Sequence, residues 1–179
     1  MGAYGFAKDA DNQFAMALKQ PFLEAFLFER ACFRDVLTKL GSELDHAAER
    51  ERGSLDIPRV RSLLERLHRV DIPQHVREDQ RLFPRIRERC PPLGPVLVRI
   101  AEEHARLEPM CGELVAALDR ETSQENPDHA GLAEQVRRLV DILLGQLGVE
   151  ENYILPVAAD FLTPQDWAEV ESVTAARHH

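Results

Sequence analysis

At 179 residues the chain can bury a sizeable core as one domain, and 44% hydrophobic with 30% charged residues is a globular composition, not a disordered one. A net charge of −9 argues against a nucleic-acid partner, because neutralising phosphates needs a basic footprint. Cys32, Cys90 and Cys111 are too sparse for a disulfide framework. With no signal peptide, and no apolar run near the ~20 residues of a membrane span, a cytoplasmic protein without a membrane partner is expected.

Residues 1–18 are weakly patterned and read as an N-terminal arm, with the main domain over 19–177. Pro21 opens a first helix to about Arg50, with Leu23, Phe26, Leu27, Phe33, Leu37 and Leu40 at helical spacing and Gly41-Ser42 as a possible break. Arg30 falls on that apolar stripe, where its head either reaches water or stays inside.

After Gly53-Ser54 and Pro58 a second helix is predicted over about 57–90, with Val60, Leu63, Leu64 and Leu67 inward. Pro73 should kink or split it, and Pro84 should do the same near its end, before the break at Cys90-Pro91-Pro92. A third helix, about 95–119, carries Leu97, Ile100, Leu107, Cys111, Leu114 and Leu118, with His104 on the same face. A polar loop from Asp119 to Asp128 leads to a fourth helix over about 130–161, which buries Val136, Leu139, Val140 and Leu143 and then presents Gln146 and Glu150. Thr163 as N-cap and Pro164 at the first helical position announce a short fifth helix. No strand pattern appears. The predicted fold is all-α: an up-down four-helix bundle with an arm and a short C-terminal helix.

One pattern occurs twice. Gln74-His75-Val76-Arg77-Glu78-Asp79-Gln80-Arg81-Leu82-Phe83-Pro84 returns as Gln146-Leu147-Gly148-Val149-Glu150-Glu151-Asn152-Tyr153-Ile154-Leu155-Pro156. Each copy places Gln and Glu four apart, on one helical face. With Arg30 and His104, each of the four helices offers a polar group to the bundle interior, where such folds build their sites.

This arrangement resembles the hemerythrin-like (HHE cation-binding) domains over about residues 20–175, including Glu102-Glu103-His104 and Thr163-Pro164-x-x-Trp167-Ala168. The resemblance implies a four-helix bundle holding two irons between histidines and bridging glutamates. Carried across, Glu78 and Glu150 are the bridging carboxylates, His104 is the third-helix histidine, and His75 follows the second-helix histidine position. Gln74 and Gln146 stand where two histidines belong, and Arg30 stands at a third. Amide oxygen is a poor iron donor, and guanidinium cannot ligate at all.

Arg30 and Gln74 line one lost position, while His75, Glu78, His104 and Glu150, with Gln146, could surround one iron, manganese or zinc ion. Asp79 and Glu151 are expected to face solvent or pair with arginine. Glu108 is a further possible carboxylate, and His46, His68 and His129 are expected at the surface.

Three functions compete. The first is a one-metal binding or sensing module, since intact relatives respond to dioxygen, nitric oxide or iron supply. The second is a metal-free regulatory or scaffold bundle with an Arg-Glu-His salt-bridged core. The third, least supported, is a mononuclear iron oxidase, because no nucleophile-base pair or phosphate loop is present. A protein partner or homo-oligomer is left open.

Overall fold

The computed structural model describes residues 21–49, 55–121 and 128–175, without the side chains of 21–25 and 171–175. The predicted arm, Gly53-Ser54, most of the polar loop and His178-His179 lie outside the described residues. Among the described residues seven α-helices follow in order: α1 (Pro21–Glu49), α2 (Ile57–Arg66), α3 (Ile72–Arg89), α4 (Gly94–Glu121), α5 (His129–Val149), α6 (Leu155–Phe161) and α7 (Pro164–Ala175). They make four rods and a short tail, because α2 runs into α3, and α5 into α6, through continuous helical backbone. The rods pack in a ring: α1 lies against α2 and α5, and α4 lies against α2, α3 and α5. The described residues contain no strand, as expected for an all-α bundle.

Gly41-Ser42 does not break α1. A helical glycine costs about 1 kcal/mol against alanine. Leu40 and Leu44 on either side are buried, and burying each contributes about 1.5–3 kcal/mol, which outweighs that cost. Ser42 Oγ also bonds the Thr38 carbonyl at 3.0 Å.

The turn before Pro73 widens where a kink or a split was expected. Between α2 and α3, residues Leu67–Asp71 form a π-helical turn in which the N–H of Ile72 reaches the carbonyl of Leu67. A second π turn, Glu150–Ile154, joins α5 to α6, with the N–H of Leu155 on Glu150. Each lies just before a proline, Pro73 and Pro156. Proline has no N–H to give, and its ring crowds the carbonyl four residues back, so a widened turn relieves both problems. Pro84, by contrast, does not end its helix: α3 continues through it to Arg89. It is exposed, while Leu82, Phe83 and Ile86 around it are buried and hold the helix to the core.

The C-terminal tail begins with a capping box. Thr163 Oγ1 accepts from the Asp166 N–H at 3.2 Å, and Asp166 accepts from the Thr163 N–H at 2.8 Å. Arg89, at the end of α3, makes two hydrogen bonds to the same Asp166, which fixes α7 against the bundle end.

The core divides into two apolar clusters. One runs from Phe33 through Leu64, Leu107 and Leu139 to Leu147; the other gathers Phe26, Leu82, Ile100, Ile154 and Trp167. The division falls at one height on every rod. Arg30 separates Phe26 from Phe33, His75 and Asp79 separate Ile72 from Leu82, His104 separates Ile100 from Leu107, and Glu150 separates Leu147 from Ile154. A polar layer thus lies across an otherwise apolar interior.

Candidate metal centre

The layer is built by four side chains of one bundle cross-section, His75 and Asp79 from α3, His104 from α4 and Glu150 at the start of the second π turn. All four are buried, and one ligand atom from each lies within 4.8 Å of every other. His75 Nε2 stands 3.5 Å from Asp79 Oδ2 and 3.4 Å from Glu150 Oε2. His104 Nδ1 stands 3.3 Å from Asp79 Oδ2, and its Nε2 stands 3.3 Å from Glu150 Oε1. These separations exceed ordinary hydrogen bonds. The two His75 separations, and that of whichever one of its nitrogens His104 offers, match the spacing of neighbouring donors around one ion, since donors about 2.0–2.1 Å from a tetrahedral centre lie about 3.3–3.4 Å apart. Asp79 Oδ2, Glu150 Oε1 and His104 Nε2 are buried without a hydrogen-bond partner among the described residues. Orphaned buried acceptors of this kind suit a cation. Phe33 flanks the layer, 5.3 Å from the His75 ring, which meets the His104 ring edge-on at 4.9 Å.

Arg30 is internal, with 1% of its surface exposed. Its Nη2 donates to Asp79 Oδ1 at 2.9 Å and to Glu150 Oε2 at 2.8 Å, while Nη1 stands 3.6 Å from Glu78 Oε2. The guanidinium also lies over the Phe26 ring, 4.6 Å from its centre. It contributes one fixed positive charge and no metal bond.

The remaining sequence candidates divide. Glu78 is buried but lies outside the group of four donors, accepting a hydrogen bond from Gln74 at 3.2 Å. Gln146 is buried. Its amide nitrogen donates to Glu103 at 3.1 Å, and its Oε1 has no hydrogen-bond partner among the described residues. Glu151 pairs with Arg34 at 2.6 Å, as expected. Glu108 and His46 are exposed; His68 and His129 are half-buried. Asp79 pairs with an arginine as expected, yet it is 2% exposed and central, a place that the sequence reading gave to Glu78.

The π turn explains that difference. Extending the Val60, Leu64, Leu67 stripe at 3.6 residues per turn points Gln74 and Glu78 inward. The extra residue of the π turn advances the inward face by one position, to Ile72, His75, Asp79 and Leu82. In the second copy the π turn begins at Glu150 itself, so Gln146 and Glu150 keep the register of their own stripe. Two similar sequences therefore present different faces. The usable signals were the His75-x-x-x-Asp79 spacing and the proline just before it.

The charges of the layer are strongly coupled. Burial pulls the His75 imidazole toward its neutral form, but Asp79 and Glu150 outweigh this and raise its pKa above the ordinary value. Burial, then the charge of Glu150, raises the carboxyl of Asp79. Burial would raise Glu150 too, but His75, His104 and Arg30 together hold it well below the carboxylate range. Glu78 is pushed up to about 9, first by burial and then by a hydrogen bond shared with Glu29.

A four-rod helical bundle whose core carries a buried His-Asp-His-Glu layer defines a class, the helical metal-binding modules. Within it, the family model of the hemerythrin HHE cation-binding domain matches residues 32–158, most of the chain, and the protein belongs to that family. Comparison with curated proteins and with solved structures found no match. No described helix is long and apolar enough to cross a membrane.

Proposed function

We propose that this domain is a one-ion module, holding a single divalent cation, iron or a similar ion, among His75, Asp79, His104 and Glu150. Gln146 Oε1 is a supplementary oxygen donor. The observation that carries the reading is the set of four buried donors spaced as the ligands of one ion, three of them with an atom otherwise unsatisfied. The donor set of two imidazoles and two carboxylates suits Fe(II), Mn(II) or Zn(II). It does not suit two ions: Arg30 fills the space beside Asp79 and Glu150 with a permanent cation, and Gln74 is turned to Glu78 instead.

Arg30 supports this division of labour by charge. Asp79 and Glu150 contribute −2 and Arg30 +1, which leaves one negative charge for a bound ion or a proton to balance. Iron held here would supply a one-electron redox centre. The chain itself would orient His75 between Phe33 and His104, keep water from the layer, and set the charge that the ion meets. Sensing of metal supply is the role that a domain of this kind would serve.

A metal-free reading draws on the same Arg30 contacts. With His75 protonated, Arg30 and His75 balance Asp79 and Glu150, and the layer becomes an internal salt bridge. Calorimetric titration of chelator-stripped protein with Mn(II), Zn(II) and, without oxygen, Fe(II) separates the two. One equivalent bound, lost in Asp79→Asn, supports the one-ion module; no saturable binding of any of the three supports the salt bridge.

A further inference from the structure

A cleft of about 250 Å³ runs between α3 and α4, outside the metal layer but ending against it. Its walls are mostly apolar, Val76 and Phe83 on one side and Leu97 and Ala101 on the other, with the exposed Gln80 among them. Its inner end is closed by buried Asp79 and His104; its outer end carries the exposed Arg87. Arg87 has no carboxylate partner among the described residues, and its stem packs 3.6 Å from where a side chain on Gly94 would begin. About 12 Å of helix separates Asp79 from Arg87, at 1.5 Å per residue.

We propose that this cleft binds a small aromatic monocarboxylate, with the carboxylate on Arg87 and the ring between Phe83 and Leu97. Size sets one limit: a dry apolar cavity of about 150 Å³ takes a benzene ring, so this cleft has room for a ring and one substituent. Charge sets the direction. Asp79 at the inner end is already held by Arg30, whereas Arg87 at the outer end is a cation without a carboxylate partner among the described residues. The same end favours an aromatic ring over an alkyl tail, because Phe83 and His104 line it with aromatic surface. His104 is already placed for such company, lying nearly parallel to Phe83 with the ring centres 6.5 Å apart. The site needs no metal.

Benzoate is the probe for the anion and benzyl alcohol for the ring alone, titrated against the full chain by NMR, once with EDTA and once with one equivalent of Zn(II). Benzoate should bind with a Kd of about 1 mM, as suits so few atoms. The shifted amides should cluster in 79–87 and 97–104, with or without the ion. Arg87→Gln should weaken benzoate about threefold to tenfold and leave benzyl alcohol unchanged. Ala101→Phe, a change at an exposed position, should remove both by filling the cleft. The proposal is overturned by unsaturable benzoate shifts, by equal affinity in Arg87→Gln, or by binding of both probes to Ala101→Phe. Benzoate binding that appears only with Zn(II) and ignores Arg87 would put the carboxylate on the ion and also overturn it.

Discussion

Replacing Arg30 with methionine removes the guanidinium while leaving an apolar stem of similar length between Phe26 and Phe33. Asp79 and Glu150 then lose hydrogen bonds of 2.9 and 2.8 Å in a layer closed to water. Removing one partner of a buried ion pair costs about 3–5 kcal/mol. Proton uptake by His75 can recover part of that, so about 3 kcal/mol is expected for Arg30→Met at pH 7 in EDTA. Urea unfolding followed by circular dichroism measures it, and a divalent ion added to the variant should return part of the loss. The double variant Arg30→Met/Asp79→Asn isolates the contact. If the guanidinium neutralises Asp79, the two changes should cost at least about 1 kcal/mol less together than their separate costs predict. Arg30→Met/Glu78→Gln should show weaker coupling, because Glu78 stands at 3.6 Å. A loss below about 0.5 kcal/mol for Arg30→Met, the scale of a surface substitution, would refute the internal-cation role.

Four further outcomes follow from the same geometry. Asp79→Asn should weaken metal binding at least about 100-fold, whereas Glu78→Gln should change it less than about tenfold, the lower range for groups outside the ligand set; calorimetry reads both. Because the Glu78 carboxyl is raised to about 9 in the folded state, its contribution is complete below about pH 4.5 and is lost as pH rises toward 9. Glu78→Gln should therefore stabilise the metal-free protein at pH 8 by about 1–3 kcal/mol and have little effect at pH 4.5, as read by urea midpoints. Asp166→Ala, which removes the capping box and the Arg89 pair, should cost about 1–2 kcal/mol in thermal unfolding. The two apolar clusters lie on either side of the polar layer, so far-ultraviolet circular dichroism should remain helical in EDTA.

The bundle was legible because each rod carries an apolar stripe at helical spacing, and the third-helix residues Leu97 to Leu118 are all buried as that spacing requires. The interruptions of the stripes by Arg30, His104 and Glu150 were equally legible, being polar residues at core positions. Asp79 was not. Its place depends on one extra residue in a π turn upstream, and periodicity carried across that turn points Gln74 and Glu78 inward without it. Pro73 announced a disturbance, but a proline can kink, split or widen a helix, and only the packing of Ile72 and Leu67 in the same core decides for widening. Pro84 illustrates the reverse, a proline through which the helix continues while its neighbours Leu82, Phe83 and Ile86 are buried.

Metal content per chain tests the one-ion centre most directly. The protein should be produced in iron-, manganese- and zinc-replete medium, purified without chelator and without a nickel column, and measured by elemental analysis against amino-acid quantification. One divalent ion per chain is expected, falling to none in Asp79→Asn. Two ions per chain would contradict the place given to Arg30. None, in protein that also fails to take up added metal, would leave the layer as a salt bridge.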